Sequence, residues 1–481
     1  MISTVAVRTR QVGASVFLMA VLAACAPLDP NYHRPEPLPA ARTGGTARDV
    51  PSQFKEAAAL GNNLLKPAST TTLSARDWWK PFADPKLDAL MVQVAHANQN
   101  VAQAEAKYRQ ATAATQQAQA ARFPTLGSNA SATRSSQVAN GVRATSQSLS
   151  VGLSASWELD LWGRVRRSIE SGDASAAASA SDLAATTLSL LAQLATNYSA
   201  LRALDVQRGL LEDSVAAYQR SLQLTKNRYE AGVVAKSDVA QAQSQLLSPQ
   251  AQLIDSGAQR ATLEHSIAVL TGRPPSELTI TRVEGYPLTL PTVAASMPSE
   301  LLQRRPDIAA AERRMAAANA QIGVAVAAYY PTISLSGSIG QRCTRLTELL
   351  SLPNRFGSVG PALALSLFDS GARDATKAQA QAAYDQTVAT YRQTILGAIQ
   401  KVEDNLSTLR ILAEELAVEQ QAVLAAQEAL TIALNQYKAG TVSFLNVATA
   451  QTTEYSARRT ELVLRSQLFS ASVALIKALG G

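Results

Sequence analysis

The chain of 481 residues is written twice. Arg228–Gln243 reads RYEAGVVAKSDVAQAQ and Gln436–Gln451 reads QYKAGTVSFLNVATAQ, with eight of sixteen positions identical at an offset of 208. Phe123-Pro124-Thr125-Leu126 matches Tyr330-Pro331-Thr332-Ile333, and Leu159-Asp160 with Arg164 matches Phe368-Asp369 with Arg373. Three matches in one order, at offsets of 207 to 209, predict an internal tandem duplication. Any element read in one half should therefore recur in the other.

Each half has the same grammar: a helical stretch, a proline, two segments of period two, a very long helical stretch, a glycine turn and a helix back. The cleanest alternation is Leu149–Leu161. There Leu149, Val151, Leu153, Ala155, Trp157, Leu159 and Leu161 are apolar, while Ser, Gly, Glu and Asp fill the positions between. That period predicts a strand with one apolar face. Val359, Pro361, Leu363, Leu365 and Leu367 repeat it more weakly; Ile333, Leu335 and Ile339 alternate with Ser334, Ser336, Ser338 and Gly340. Thr125–Arg134 is the poorest of the four, mostly small and polar. Strands of about 9–11 residues suit an outer-membrane barrel, with a soluble sheet wetted on one face as the alternative. Four strands cannot close a barrel, since the smallest kind has about eight, and an open edge has no place in lipid. The strands thus predict an oligomer sharing one channel. No run of 18 apolar residues follows the N-terminus, so no membrane-spanning helix is expected after it.

Gly371–Ala439 spans 69 residues without proline, roughly 100 Å at about 1.5 Å per residue. Val388, Ile395, Val402, Leu409, Leu416, Val423, Leu430 and Tyr437 recur at every seventh position, which predicts a coiled-coil seam. Gly163–Ala231 is the counterpart, with Leu183, Leu190, Leu204 and Leu211 on one seam. Gly232 and Gly440 stop these helices and turn the chain back. Each alone is an ordinary helix-ending glycine, but the duplication sets both turns at the same level, forming one end of the assembly. Aromatic residues are only 5%, and the net charge of +7 is spread along the chain. A nucleic-acid surface would need that charge clustered on one face.

The N-terminus reads as an address. Arg8 and Arg10 precede an apolar core, Val12 to Ala24, too short to span a bilayer and ending in Leu22-Ala23-Ala24-Cys25. Small residues before a cysteine resemble a bacterial lipobox, with Cys25 as the lipidated first residue; an ordinary signal peptide with an incidental cysteine is the alternative. Ala26 follows rather than Asp, which by resemblance sorts the lipoprotein to the outer membrane. Pro27, Pro30, Pro35, Pro37, Pro39 and Pro51 make the next segment an extended tether. The expected divisions are a signal peptide over 1–24, a lipid-anchored Pro-rich segment over 25–80, a first repeat over 81–273, a linker over 274–297 and a second repeat over 298–481.

These residues resemble the TolC-like outer-membrane factors, in the NodT or OprM-like lipoprotein branch, along essentially the whole mature chain. The resemblance rests on Cys25 followed by Pro30-Asn31-Tyr32-His33-Arg34-Pro35, then Trp78-Trp79, Phe82, Asp84-Pro85 and Leu87. It continues through Trp157-Glu158-Leu159-Asp160-Leu161-Trp162-Gly163-Arg164, Leu270-Thr271-Gly272-Arg273-Pro274-Pro275 and Arg304-Arg305-Pro306-Asp307-Ile308. It implies an α+β membrane protein: a homotrimer whose 3 × 4 strands form a twelve-stranded β-barrel, continuous with a periplasmic α-helical barrel. The implied partners are a periplasmic adaptor and an inner-membrane pump, taken as RND-type, with the tunnel opened at its tip by docking. The family's tip is latched by an Asp and a Thr after the first turn meeting a Tyr and an Arg at the second. Asp238, Ser237 and Tyr437 match three of these, and Val442 stands where the Arg would be. Two aspartate rings of TolC fall on Asn446 and Thr449, neither of them acidic. Asp238 reads equally as a helix N-cap, and Tyr437 as a seam residue.

No enzyme chemistry is legible. His33, His96 and His265 lie far apart without metal-ligand spacing, and Ala231–Ser237 has Lys-Ser but lacks a phosphate loop's glycines. No cofactor is expected. The reading that results is a passive exit duct for drugs or other small molecules. Protein secretion or metal-ion export through the same duct is one alternative, and a lipid-anchored coiled-coil scaffold without a pore is another. Cys343 has no role assigned from the sequence.

Overall fold

A computed structural model describes residues 31–37, 53–56, 77–139, 141–286, 304–348 and 351–481. The expected signal peptide, Cys25 and most of the Pro-rich segment lie outside these residues, as does part of the 274–297 linker. The described elements are α1 (Pro85–Ala97), α2 (Gln99–Ala120), β1 (Thr125–Ala139), β2 (Val142–Leu159), α3 (Arg164–Glu230) and α4 (Lys236–Leu270). They are followed by α5 (Pro306–Ala327), β3 (Thr332–Cys343), β4 (Arg355–Ala364), α6 (Ala372–Ala439) and α7 (Phe444–Leu479). The order helix, two strands, long helix, returning helix occurs in each half. The described residues fall into two compact units: one of those within 31–36, Ala106–Ala180 and Ala310–Arg392, the other of those within 37–105, 181–309 and Gln393–Gly481.

The first unit carries one antiparallel sheet of order β1-β2-β3-β4, with β1 and β4 as its edges. Pro361 sits in edge strand β4, where a missing N–H is tolerated. β1 and β2 run for 15 and 18 residues, longer than the 9–11 expected. Val142–Ser148 extends β2 without hydrophobic alternation, held by backbone pairing with Thr133–Ala139. The far end of β2 is shorter than expected. Asp160 leaves the strand because its carboxylate accepts from the N–H groups of Val165 and Arg166, at 2.9 and 2.8 Å, and so starts α3. Leu161 therefore lies outside β2. Leu365 and Leu367 likewise fall beyond β4, since Asp369 accepts from the N–H groups of Gly371 and Arg373 at 3.2 and 3.3 Å and starts α6.

The seam of α6 packs as its spacing demands: Ile395, Val402, Leu409, Val423 and Tyr437 are buried, and Val388, Leu416 and Leu430 are half-buried. On α3, Leu190, Leu204 and Leu211 are buried. Helix α7 reaches a mean hydropathy of 1.4 over an eighteen-residue window, enough on composition to cross a bilayer. Its Leu468, Val473 and Leu475 instead face protein, in the core of the second unit. Trp78, Phe82, Leu87, Met91 and Val94 close that core against Leu194, Tyr198 and Phe469, with Phe82 and Phe469 ring centroids 4.6 Å apart.

A polar network is buried beneath these aromatics. Asp84 caps α1 through the N–H groups of Lys86 and Leu87, and its other oxygen accepts from Tyr198 at 2.6 Å and Tyr286 at 2.9 Å. Arg202 lies over both rings, at 4.8 and 5.6 Å, and donates to Asp205 at 3.1 Å. Asp205 is fully buried and accepts a second cation, Arg260, at 2.9 Å. Burial alone would raise the Asp84 carboxyl, but the Tyr198 hydroxyl and the Leu87 N–H outweigh it and hold the group below the ordinary carboxylate range.

Asp205→Ala leaves buried Arg202 without its carboxylate and Arg260 with Glu264 alone, and should lower the unfolding free energy by about 3–5 kcal/mol. A fall in the urea midpoint of the purified protein checks this. Asp84 has a folded pKa below its unfolded value, so its contribution is complete above about pH 4 and fades as pH falls through the folded value. Acid unfolding of Asp84→Asn should therefore be flatter than wild type below about pH 4.

Candidate channel wall and helical turns

The two faces of the sheet differ in chemistry. Register sets Leu153 between Ser128 and Ile339, Trp157 opposite Leu335, and Ile333 between Leu159 and Leu363. Leu126, Val151, Leu153, Ile339, Val359 and Leu363 on this face are all exposed, Leu126 by 83% and Val359 by 81%. The opposite face is small and hydroxylated: Ser131 meets Ser150, Ser135 meets Ser146, and Ser338 meets Ser358, each at 2.7 Å. A Cβ on Gly340 would come within 2.5 Å of the Val151 carbonyl oxygen and 2.9 Å of the Phe356 ring, so only glycine fits there.

Aromatic groups mark the end of the sheet where the helices join. Trp162 stacks on Tyr330 with centroids 5.0 Å apart and donates to the Pro331 carbonyl at 2.7 Å; Trp157 donates to the Arg122 carbonyl at 2.9 Å. Such rings place an apolar body and a polar tip at one level. Glu158 holds Arg164 in a two-pronged pair at 2.8 and 2.5 Å, and Asp369 holds Arg373 at 2.5 Å in the other half. Nearby, Arg34 donates to the Tyr391 hydroxyl at 3.0 Å and pairs with Glu312 at 3.2 Å, which fastens the N-terminal strap to α5 and α6. Cys343 is buried at the end of β3, across from Leu149.

In the second unit the two glycine turns share one geometry. Gly232 and Gly440 take φ of +71° and +79°, a conformation that costs other residues. In the first turn, Gly232 N–H bonds the Tyr229 carbonyl and Val233 N–H the Arg228 carbonyl, both at 2.9 Å. In the second, Gly440 N–H bonds the Tyr437 carbonyl and Thr441 N–H the Gln436 carbonyl, both at 3.0 Å. This is the paired closure that satisfies the last carbonyls of a helix.

The turns touch. Tyr437 is 2% exposed, its hydroxyl is 3.2 Å from Thr225 Oγ1, and its ring meets Phe444 edge-on at 5.7 Å. Arg228 lies over the same ring at 4.6 Å and also bonds the Tyr437 carbonyl. The guanidinium thus neutralises the carbonyl end of α6 and caps its last aromatic at once. Arg228 was not singled out from the sequence. Its place in the last turn of α3, where Gln436 stands in the other copy, was the available signal.

Asp238 is the third residue of α4 and half-exposed; Ala235 is the N-cap, and no side chain bonds there. The N-cap reading of Asp238 is corrected accordingly, because the helix begins two residues earlier. Among the described residues, Asp238 makes no hydrogen bond to Tyr437 within the protomer. Ser237 is exposed, and Val442 packs against the cluster of Tyr218, Leu222, Phe444 and Val447. Asn446 and Thr449 share the exposed face of α7, while Val447 and Ala448 turn inward.

The model of the outer membrane efflux protein family matches residues 90–273 and again residues 297–481. The pyoverdine export outer membrane protein OpmQ of Pseudomonas aeruginosa is 33% identical over 443 residues, 88% of this chain and 93% of that protein. The probable efflux pump outer membrane protein TtgC of Pseudomonas putida is 31% identical over 476 residues, 96% of this chain and 93% of that protein. The solved outer-membrane channel OprN superposes with a TM-score of 0.86 at 32% identity, covering 95% of this chain and 99% of that one. With an uncovered apolar sheet face, a hydroxyl-lined reverse, and matches along nearly its whole length, the chain belongs to the outer membrane efflux protein family, whose members are outer-membrane channels rather than enzymes.

Proposed function

We propose that the chain is one of three identical subunits of an outer-membrane exit duct. Each subunit gives four strands to a twelve-stranded barrel, and the long helices give a periplasmic tunnel. The observation that carries this reading is the four-stranded sheet: among the described residues its apolar face is uncovered, its other face carries hydroxyls and glycine, and its edges β1 and β4 have no partner strand. Unpaired edges cannot remain in hydrocarbon, and β1 beside the β4 of a neighbour removes them. A tandem duplication accounts for the two matches to one family model and for the repeated order of elements.

In this reading the turn end docks on a periplasmic adaptor joined to an RND-type inner-membrane pump. The cargo is a small organic molecule, in line with the export and efflux named for the relatives. Native mass spectrometry should give three times the mature mass, and planar-bilayer recording should give discrete conductance steps. A folded, stable monomer in detergent would overturn the shared barrel. Cys25 is proposed as the acylated residue, so Cys25→Ser should lose acyl labelling; undiminished labelling removes the lipobox.

The turns are proposed as the gate, with Ser237, Asp238, Tyr437, Val442, Asn446 and Thr449 at its constriction. Val442 leaves the second turn without the arginine of the family's latch, and Arg228 supplies a guanidinium from the first. A clasp contributing about 1–3 kcal/mol in each of three subunits is enough to shift a closed–open balance by several kcal/mol. Arg228→Gln should raise resting conductance and sensitise cells to large antibiotics, and Tyr437→Phe should do so less, since it loses only the hydroxyl bond to Thr225. If both lower trimer stability at unchanged conductance, the clasp is packing and not a gate. Asn446 and Thr449 offer neutral oxygens, so a trivalent cation should block weakly from the turn side. Asn446→Asp with Thr449→Asp should strengthen that block.

A further inference from the structure

The basic residues of the sheet are all arginine, and they gather toward its hairpin end, away from the helices. Within the four strands they are Arg134, Arg143, Arg342 and Arg355, while the strands' one carboxylate, Glu158, lies at the helix end. Register decides which face each takes. Arg134 stands opposite Gln147 and so shares the face of Leu126, Val151 and Leu153. Arg355 stands opposite Gln341 and shares the face of Ile339, Val359 and Leu363. Arg342 points to the other face, over the Phe356 ring at 5.3 Å.

Height along the strands singles out a pair. Arg134 is nine residues beyond Thr125, where β1 begins, and Arg355 is nine residues before Ala364, where β4 ends. At about 3.4 Å per residue and a tilt of about 35–45°, both reach ~22–25 Å above the helix end of the sheet. An outward apolar band is about 25 Å tall. The two guanidinium groups therefore sit at its far border, opposite the border marked by Trp157, Trp162 and Tyr330. Both are exposed, and among the described residues neither is recorded in an ion pair with a carboxylate.

The two arginines lie on the two edge strands. In the trimer proposed above, on which this step rests, β4 of one subunit lies about 4.8 Å from β1 of the next. Arg355 and the neighbour's Arg134 then stand at one level, both facing lipid head groups. Two like charges in that place need a shared anion, and the guanidinium fork matches the oxygens of a phosphate in two-pronged fashion. We infer that Arg134 and Arg355 form a phosphate-binding site for a phosphomonoester lipid of the outward leaflet, one site at each subunit boundary. Arg143, opposite Val138 and so four residues beyond Arg134 along the sheet, lies above it.

The test uses full-length protein in phosphatidylcholine nanodiscs doped with phosphatidic acid, with bound lipid and subunit number read by native mass spectrometry. Wild type should retain phosphatidic acid roughly tenfold more than Arg134→Gln with Arg355→Gln. Lys107→Gln, on α2, should match wild type. Arg134→Lys with Arg355→Lys keeps the charge without the fork and should fall between the two, which keeps the test open if the neutral variant inserts poorly. Equal retention by the Gln variant overturns the site. Equal retention of a carboxylate lipid, with oleate in place of phosphatidic acid, overturns its phosphate chemistry. A mass other than that of a trimer sinks the channel reading instead, whereas a trimer without bound lipid sinks only this one.

Discussion

A backbone N–H or C=O that faces hydrocarbon without a partner costs several kcal/mol, and no side-chain chemistry offsets a whole row of them. In the proposed barrel, the sheet would present two such rows, one on β1 and one on β4, beside an apolar face that none of the described residues covers. The other features of the first unit are consistent with that constraint. Strand-to-helix junctions at Asp160 and Asp369 end the strands sharply, so backbone leaving the sheet is capped within a few residues. In the proposed barrel, the aromatic groups at those junctions would lie where a bilayer becomes polar. The proline of β4 lies on an edge strand, where one missing donor is least disruptive.

The internal sequence repeat bears on the turns. The two matching helix–glycine–helix segments share a tyrosine, Tyr229 and Tyr437, but differ just before it, with Arg228 in the first and Gln436 in the second. The contact between them is a cation on a ring and on a helix-end carbonyl, both favoured by the partial negative charge at the end of α6.

The seam of α6 was legible because burial at every seventh position leaves a mark in residue type, from Ile395 to Tyr437. The lower strands were legible for a similar reason, one apolar face against one of small hydroxyls. Val142–Ser148 was not, because where both faces are polar the period of two vanishes from hydrophobicity and only backbone pairing remains. The Asp84, Tyr198 and Tyr286 cluster was equally hidden: its members stand 114 and 202 residues apart, and nothing local marks them as partners. Arg228 fell between these cases. The repeat exposed the position, but only the fold shows the ring it covers.

The charge pattern on the sheet argues that its two ends meet different surroundings. At the helix end, Glu158 and Asp369 hold Arg164 and Arg373 in local pairs, so the cations there are neutralised within the protomer. At the hairpin end, Arg134 and Arg355 have no carboxylate in their own strands, and the one carboxylate in the strand of Arg143, Glu158, lies at the helix end paired with Arg164. An ion pair at an exposed rim contributes little to stability, so folding alone does not explain why one end is paired and the other left positive. Water would accept either arrangement equally. A surface carrying fixed negative charge would not, and it would meet only the end that projects away from the helices. In the proposed duct, that asymmetry fits an orientation with the paired end toward the periplasm and the unpaired arginines toward an anionic outer leaflet.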